Sequence, residues 1–464
     1  MSTYLQVTRA EQAISPEFLK GYFHSFAKPA AKYRVGLEWE LFGVSPETGC
    51  ALPYDGPHGI EAVLSLLAEK FGYQSIKEDG HIVALFRGED YVALEPGGQL
   101  ELSAGPVATV HEARQILEKF RDELREIGRC LSCAWMTVGF HPFSRLEEMD
   151  WVPKKRYKIM KDYLASTGAR SHDMMKRTAA NQVSLDFESE SDAMEKLRVI
   201  YGATSLVSAM FAHSSLSEGK WNGFLTRRMA SWRQTDPDRS GLVPAFLNEG
   251  SRFDDYLDYV LDAPMIFIIR DTTWIPMNGL RFRDFLSRGY GDFLPTRDDF
   301  ELHLSTLFPE ARIKNCIEIR GADGQTFELI PSVAALWKGL LYHGPAREAA
   351  WQLVKGFTWE ERRAFHEAIE TEGPRAFLGA YRGWDLLKEL VALARKGLIA
   401  QNRLNREGQD ESVYLDLLLE KVIQTERTPA ETLKEKWQGE FHEEPRLLIE
   451  YLGFQPDAHA EPAR

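Results

Sequence analysis

Hydrophobic and polar side chains alternate at positions 34–44, which predicts a strand with one buried face. The apolar side of that strand carries Val35, Leu37, Trp39 and Leu41. Glu38 and Glu40 share the opposite face, where they stand about 6–7 Å apart at the usual rise per residue. The segment therefore predicts two neighbouring carboxylates on a strand whose other face lies in the core.

At positions 109–128 the spacing of apolar residues changes to the period of a helix. Thr109 and Glu112 have the spacing of a capping box, and apolar side chains then recur every three or four residues as far as Gly128. Comparable patterns predict shorter elements elsewhere in the chain. Strands are predicted at 134–140, 181–187, 264–270 and 312–320, and helices at 191–212, 251–261 and 331–343.

Strand signals are absent after about position 346, where helix starts recur at Thr358 and Thr428. Because strands and helices mix without strict alternation in the earlier part, we expect an α+β fold with a mostly antiparallel sheet and helices on one side. The expected organisation is a catalytic core at 1–345 and a helical region at 346–464, packed on the core as a single functional unit. Positions 455–464 are expected to form a frayed tail.

The charge balance narrows the class of partner. Acidic residues exceed basic ones by 69 to 56, a net charge of −13 over 464 residues, and no basic run is longer than a pair. Nucleic acid is therefore excluded as a partner, and no apolar stretch approaches the roughly 20 residues of a membrane span. The first 33 residues lack the apolar region of a secretory signal, so a cytoplasmic location is expected.

Two further segments repeat the pattern of carboxylates beside apolar side chains. Glu95 precedes a Pro96-Gly97-Gly98 break, after which Glu101 falls on the polar face of the next strand. On the predicted strand 312–320, Glu318 shares its face with Lys314 and Arg320. A glycine pair within a strand suits close approach of the backbone to a ligand.

Any one of these polar faces could simply meet solvent. If they line one cavity, however, their carboxylates would repel one another unless cations lay among them, and oxygen-only ligands favour Mg²⁺. The chain lacks both a P-loop and a G-x-G-x-x-G motif, so metals and basic side chains would have to hold nucleotide phosphates. The basic candidates are Arg177, Arg228, Arg239, Arg270, Arg312 and Lys314.

Several motifs together resemble the plant-type glutamate–cysteine ligases (gamma-glutamylcysteine synthetases), a family also found in bacteria. They occur in family order between about 30 and 345. The motifs are R-V-G-L-E-W-E (34–40), L-E-P-G-G-Q-L-E-L-S (94–103), Q-V-S-L-D-F (182–187), D-P-D-R-S-G (236–241), Y-L-D-Y-V-L-D-A-P-M (256–265), H-L-S-T-L-F-P-E (303–310) and E-I-R-G-A-D-G (318–324).

The resemblance implies a curved, funnel-like antiparallel sheet related to the glutamine synthetase core, with ATP as co-substrate and Mg²⁺ as cofactor. The γ-carboxylate of glutamate would attack ATP to form γ-glutamyl phosphate, which cysteine would capture to give γ-glutamylcysteine, the first step of glutathione biosynthesis. The implied partners are these small molecules, and the oligomeric state, monomer or homodimer, stays open.

The resemblance also implies residue roles. The implied metal ligands are Glu38, Glu40, Glu95, Glu101 and Glu318. The residues implied to bind the amino-acid substrates are Arg177, Gln182, Arg228, Arg239 and Arg270. Those implied to bind ATP are Arg312, Lys314 and Arg320, and those implied to be catalytic are Glu38, Glu101 and Arg320.

The sequence departs from the family pattern near Gln182. Ala180-Asn181-Gln182-Val183-Ser184 stands where the family has Thr-Val-Gln-Val-Asn. The alternatives are therefore a γ-glutamyl ligase with another amine acceptor, or a catalytically silent glutamate- or nucleotide-binding relative.

Overall fold

The computed structural model describes residues 14–454, so the predicted tail lies outside the described residues. Its centre is a nine-stranded sheet in which every pairing is antiparallel, with the order β14-β15-β7-β1-β5-β4-β3-β2 and with β6 paired to β1. The strands are β1 (Val35–Val44), β2 (Gln74–Glu78), β3 (His81–Arg87), β4 (Asp90–Leu94), β5 (Leu100–Val107), β6 (Ala134–Met136), β7 (Asn181–Leu185), β14 (Ala311–Ile313) and β15 (Ile317–Ile319).

The remaining strands form two-stranded pairs. They are β8 (Leu216–Ser217) with β9 (Lys220–Trp221), β10 (Ser240–Gly241) with β13 (Phe308–Pro309), β11 (Phe267–Arg270) with β12 (Thr273–Pro276), and β16 (Phe377–Leu378) with β17 (Tyr381–Arg382). The last pair is a small exception to the prediction of helices alone after position 346.

Helices pack against the sheet and predominate among the described residues after position 330. Those before position 345 are α1 (Pro16–Tyr22), α2 (Ile60–Phe71), α3 (Val110–Leu131), α4 (Lys155–Ala165), α5 (Ser171–Arg177), α6 (Glu190–Met210), α7 (Arg227–Arg233), α8 (Phe253–Asp262), α9 (Phe282–Arg288), α10 (Arg297–Leu304) and α11 (Ile330–Leu341). Those that follow are α12 (Gly344–Val354), α13 (Trp359–Glu372), α14 (Gly383–Gln401), α15 (Asp416–Leu418), α16 (Pro429–Gln438) and α17 (Pro445–Leu452).

The predicted α+β class is confirmed, and the local signals behind it act as expected. The capping boxes at Thr109, Thr358 and Thr428 are all formed at helix starts. The apolar face of β1 is buried, and the Trp39 ring packs against Phe120 of α3 and Phe454 at the end of the described chain. The sheet therefore keeps one face in the core and leaves the other for polar side chains.

The prediction of one strand at 312–320 is wrong. The backbone turns between β14 and β15, where Lys314 N–H donates to the Cys316 carbonyl, and Ile313 pairs with Ile317. Asn315, a residue type that favours turns, is the one polar side chain on the otherwise apolar face of this segment, so the sequence does carry a local sign of the turn. Because the two strands pair, Arg312 comes to lie directly opposite Glu318.

The C-terminal helices are joined to the sheet region by a buried ion pair. Lys338 Nζ of α11 lies 2.6 Å from a carboxylate oxygen of Glu411, and Glu411 also accepts from Val110 N–H at the start of α3. Within residues 14–454, no helix has both the length and the apolar character to cross a membrane.

Candidate active site

Strand pairing places the predicted charged residues in a diagonal row across one face of the sheet. Glu40 stands opposite Glu101 on β5, and Glu38 stands opposite Gln182 on β7. One strand further along, Glu318 stands opposite Ser184. Because side chains of paired residues share a face, these groups point to the same side of the sheet.

Glu95 joins the row from the hairpin turn between β4 and β5. Its N–H and carbonyl bond to Gln99 and Gly98, so Pro-Gly-Gly forms a turn rather than an interruption of one strand. A Cβ on Gly97 would lie 2.3 Å from the Lys176 carbonyl oxygen. The glycine is thus needed for close approach to the protein's own backbone, not to a ligand as the sequence suggested.

A cavity that opens to solvent lies over this row. Ten of the residues singled out from the sequence line it: Glu38, Glu40, Glu95, Glu101, Gln182, Arg228, Arg312, Lys314, Glu318 and Arg320. Residues that belong to five strands of the sheet, a hairpin turn and helix α7 therefore meet in one place, as the hypothesis of a shared cavity requires.

Three predicted substrate-binding arginines lie outside this cavity. Arg239 is fully buried against Asp236 and donates to the Thr306 and Pro264 carbonyls. Arg270 forms a two-pronged pair with Asp299. Arg177 packs over the Phe140 ring and lies 3.4 Å from both Asp173 and Glu218. We therefore leave these three arginines out of the site.

Sequence reasoning missed the apolar and aromatic wall of the cavity. This wall includes Tyr157, Met160, Met174, Met175, Trp232 and Phe308. Trp232 could have been found from the motifs, because it lies four residues after Arg228 and so shares its helix face. The methionines carry no signal in the sequence that separates them from ordinary core residues.

The carboxylates on β1 and β5 are crowded and buried, which raises their pKa values. Burial, followed by the charge of Glu95, raises the pKa of Glu40 to about 7, although Arg228 and Gln182 oppose the rise. Burial and the charges of Glu38, Glu95 and Glu40 raise the pKa of Glu101 well above its ordinary value. This end of the row carries an excess of negative charge that a bound cation would relieve.

Glu318 has the opposite environment. Its two oxygens lie 2.7 Å from nitrogens of Arg312 and Arg320 and 2.6 Å from Lys314 Nζ. Burial acts to raise the pKa of Glu318, but the three cations hold it well below its ordinary value. The cluster has a net charge of about +2, which suits an anion such as a phosphate group.

Hydrogen bonds connect the two ends of the row. Arg320 Nη1 donates to Gln182 Oε1 at 2.7 Å, and Gln182 Nε2 donates to Glu40 Oε1 at 2.8 Å. The other Glu40 oxygen accepts from Ala180 N–H at 2.8 Å. Gln182 therefore fixes the positions of a cationic and an anionic group at once.

Arg228 enters the cavity from the first turn of α7. Its guanidinium donates to the Arg320 carbonyl at 2.8 Å and to the Gly321 carbonyl at 3.3 Å. Its Nε is buried without a hydrogen-bond partner among residues 14–454. Such a group is suited to receive a carboxylate of a small ligand.

A second cavity adjoins the first. The two share Glu38, Lys314 and Glu318, so they lie side by side at these charged residues and are called here the first and second lobes of one cleft. The lining of the second lobe includes Lys28, Arg34, Tyr91 and Pro106. A ligand with a charged end and a larger uncharged part could therefore extend from the junction into the second lobe.

The carboxylates of the row do not themselves converge on one point. In the part of the chain that the structure describes, the one group of three or more potential ligands whose atoms all lie within 4.8 Å is Asp55, Glu61 and His81, away from both lobes. The donor set of Glu38, Glu40, Glu95 and Glu101 nevertheless fits a hard cation, because it consists of carboxylate oxygens at a site of excess negative charge.

The family model "Glutamate-cysteine ligase family 2" matches residues 34–450. Glutamate–cysteine ligase B, chloroplastic, of rice (Oryza sativa subsp. japonica) is 35% identical over 442 residues, which covers 93% of this chain and 87% of the rice protein. Glutamate–cysteine ligase, chloroplastic, of Arabidopsis thaliana is 35% identical over 447 residues, covering 96% and 84%.

A solved structure, the glutamate–cysteine ligase of Francisella tularensis in complex with AMP, has a similar fold. Its TM-score is 0.57 at 11% identity, and the match covers 90% of this chain and 87% of that chain. At this identity the likeness concerns the fold alone.

Proposed function

The chain belongs to glutamate–cysteine ligase family 2, and from that premise we propose how its two-lobed cleft works. The protein is a ligase that joins glutamate to cysteine in the synthesis of glutathione. One observation carries the proposal: crowded carboxylates and a cationic cluster stand in a single row on one sheet face. Such a row can hold a nucleoside triphosphate and an amino acid so that the terminal phosphate of one faces the carboxylate of the other.

The co-substrate in this proposal is ATP, with its phosphates at Arg312, Lys314 and Arg320. Lys314 lines both lobes, and Arg312 and Arg320 line the first lobe, where they contact Glu318, which also lines both. The base and ribose then occupy the second lobe, and the γ-phosphate points along the row toward Glu40. Glutamate occupies the first lobe with its α-carboxylate at Arg228 and its γ-carboxylate facing the phosphate.

The residues present fit Mg²⁺, and we propose Glu38, Glu40, Glu95 and Glu101 as its protein ligands. When bound, Mg²⁺ supplies positive charge that offsets the phosphate oxygens and screens the carboxylates from one another. Glu318 was also predicted as a ligand. In this structure its charge is balanced by three cations, so we propose that it chiefly positions them.

The chemistry follows from this placement. A γ-carboxylate oxygen of glutamate attacks the γ-phosphorus, the bond to the β-phosphate oxygen breaks, and ADP leaves. The cysteine amine then attacks the acyl carbon, phosphate departs, and the amine loses a proton. The protein orients both attacks and neutralises charge, and it needs no covalent nucleophile of its own.

We place the protein in the cytoplasm, whereas the names of the relatives place those enzymes in the chloroplast.

We also propose that 1–345 and 346–464 act as one functional unit, because the Lys338–Glu411 pair and Phe454 join the helical region to the sheet.

Phosphate release tests the proposed reaction. With ATP, Mg²⁺ and glutamate, we expect release that depends on cysteine and stops when Mg²⁺ is chelated, with γ-glutamylcysteine detected by mass spectrometry. Serine, alanine and β-alanine serve as other amines, since they share the nucleophile but not the thiol. If phosphate is released with one of these amines and not with cysteine, cysteine is not the acceptor. If no amine gives phosphate release, the proposed reaction is wrong.

Mg²⁺ should also stabilise the folded protein without any substrate. The crowded carboxylates repel one another, so a bound cation should raise the melting temperature by several degrees at millimolar concentration. We expect at least half of that rise to be lost in Glu95→Gln, measured by differential scanning fluorimetry. An equal rise in the wild type and the variant would show that Glu95 does not contribute to metal binding.

A further inference from the structure

Asp323 is a buried carboxylate outside the cavity, and two of the groups that donate to it also hydrogen-bond to the first turn of α7. Its Oδ2 accepts from Ser214 Oγ at 2.6 Å and from His213 N–H at 2.8 Å. Its Oδ1 accepts from Thr226 Oγ1 at 3.0 Å. Only 1% of the residue is exposed, and a Cβ on Gly139 would lie 2.6 Å from the Asp323 Cβ, so the side chain has no room to move.

The two hydroxyls that donate to Asp323 also accept hydrogen bonds from backbone amides of α7. Ser214 Oγ accepts from Arg228 N–H at 3.1 Å, and Thr226 Oγ1 accepts from Met229 N–H at 3.2 Å. These amides belong to the first turn of the helix, where N–H groups have no partner within the helix. One carboxylate thus holds two hydroxyls, and each hydroxyl holds one amide.

The same segment also holds the other end of Arg228. The guanidinium donates to the carbonyls of Arg320 and Gly321, three and two residues before Asp323, and its Nη1 lies 3.9 Å from Asp323 Oδ1. The backbone and the side-chain tip of Arg228 are therefore fixed by one stretch of chain. Arg320, a phosphate-binding candidate, lies in that stretch as well.

From these contacts we infer that Asp323 is a positioning residue that fixes Arg228 for the carboxylate of glutamate. The inference rests on the proposed role of Arg228. A guanidinium that forks onto a carboxylate must be aligned in two directions, and a displacement of about 1 Å at such a group can cost 10²-fold in rate. Asp323 supplies the alignment without touching the substrate.

Asp323→Asn tests the inference. It keeps the shape of the side chain but replaces one accepting oxygen with an NH2 group, which cannot accept the hydrogen bonds that this oxygen received. We expect the KM for glutamate to rise about 10- to 100-fold, with the KM for ATP within about twofold of the wild type. Asp299→Asn is the matched control. Asp299 is also 1% exposed, holds the helix-capping Thr296 and pairs with an arginine, but that arginine, Arg270, lines neither lobe. It should lower the melting temperature and leave the KM for glutamate within about twofold.

A double-mutant cycle separates positioning from general destabilisation. In an Arg228→Lys background, Asp323→Asn should change the KM for glutamate by no more than about twofold, because the group it positions is gone. Effects that multiply in full would overturn the inference. If Arg228→Lys alone leaves that KM unchanged, the proposed glutamate site fails instead. Should Asp323→Asn not fold, Ser214→Ala removes one arm only, and an unchanged KM for glutamate would then overturn the inference.

Discussion

Glu101→Gln should abolish turnover while the protein stays folded. The substitution removes one carboxylate charge and almost no volume from the most crowded end of the row, where Glu101 faces Glu40 across the strand pair. Loss of a single preorganised charged group at a phosphoryl-transfer site costs about 10³-fold in kcat. Single-turnover formation of γ-glutamyl phosphate, trapped with hydroxylamine, would place the loss at the first chemical step.

The same variant should be at least as stable as the wild type in the presence of a chelator. Because the pKa of Glu101 is raised in the folded state, the native protein binds a proton there more tightly than the unfolded chain does. The free energy of unfolding therefore falls as pH rises above the ordinary carboxyl value, and glutamine removes that penalty. We expect its melting temperature to match the wild type at pH 5 and to exceed it at pH 8.

Glu123→Gln is the matched control for this experiment. Glu123 is a buried glutamate on α3 that pairs with Arg87, away from both lobes. Its neutralisation should lower the melting temperature and leave kcat within about twofold. A Glu101→Gln enzyme that keeps the wild-type rate would remove Glu101 from the catalytic set.

Arg320→Gln should cause a loss of similar size by a different route. Arg320 contacts Glu318 and Gln182 and lines the first lobe near its junction with the second. An arginine that stabilises the charge of a transferring phosphoryl group contributes about 10³-fold or more to kcat. We expect kcat to fall by about 10³-fold, with a much smaller change in the KM for glutamate.

The fold should survive this change because Glu318 retains Arg312 and Lys314 as partners. Arg320→Lys, which keeps the charge but not the planar guanidinium, should recover only part of the rate. Arg87→Gln provides the control, since it breaks a glutamate–arginine pair that lines neither lobe. If Arg320→Gln raised only the KM for ATP and left kcat unchanged, Arg320 would bind the nucleotide without acting in the transfer step.

Local sequence patterns were sufficient to predict two features of this protein. The strict alternation at β1 fixed both the strand and the face of Glu38 and Glu40, because the side-chain period of a strand is two. The capping signal at Thr109 likewise fixed the start of α3. In both cases the deciding interactions lie within a few residues of each other along the chain.

Local patterns failed where a distant partner decides. Arg239 and Arg270 have the same chemical character as Arg228, so the sequence could not distinguish them. Arg270 is committed to Asp299, 29 residues away, whereas the Nε of Arg228 finds no partner in the described chain. The turn inside 312–320 was missed as well, because Ile313 and Ile317 keep the alternation on either side of it and the polar Asn315 is the single local sign.

By itself, the sequence determined the elements, the α+β class, the family motifs and the carboxylates that belong together chemically. Only the tertiary structure decided which charges meet: strand register placed Glu40 opposite Glu101 and Arg312 opposite Glu318. The physical reason is that charge interactions depend on separation in space and on burial, which pairings between distant strands establish. The net charge of −13 is thus a property of the sequence, and the crowded row is a property of the fold.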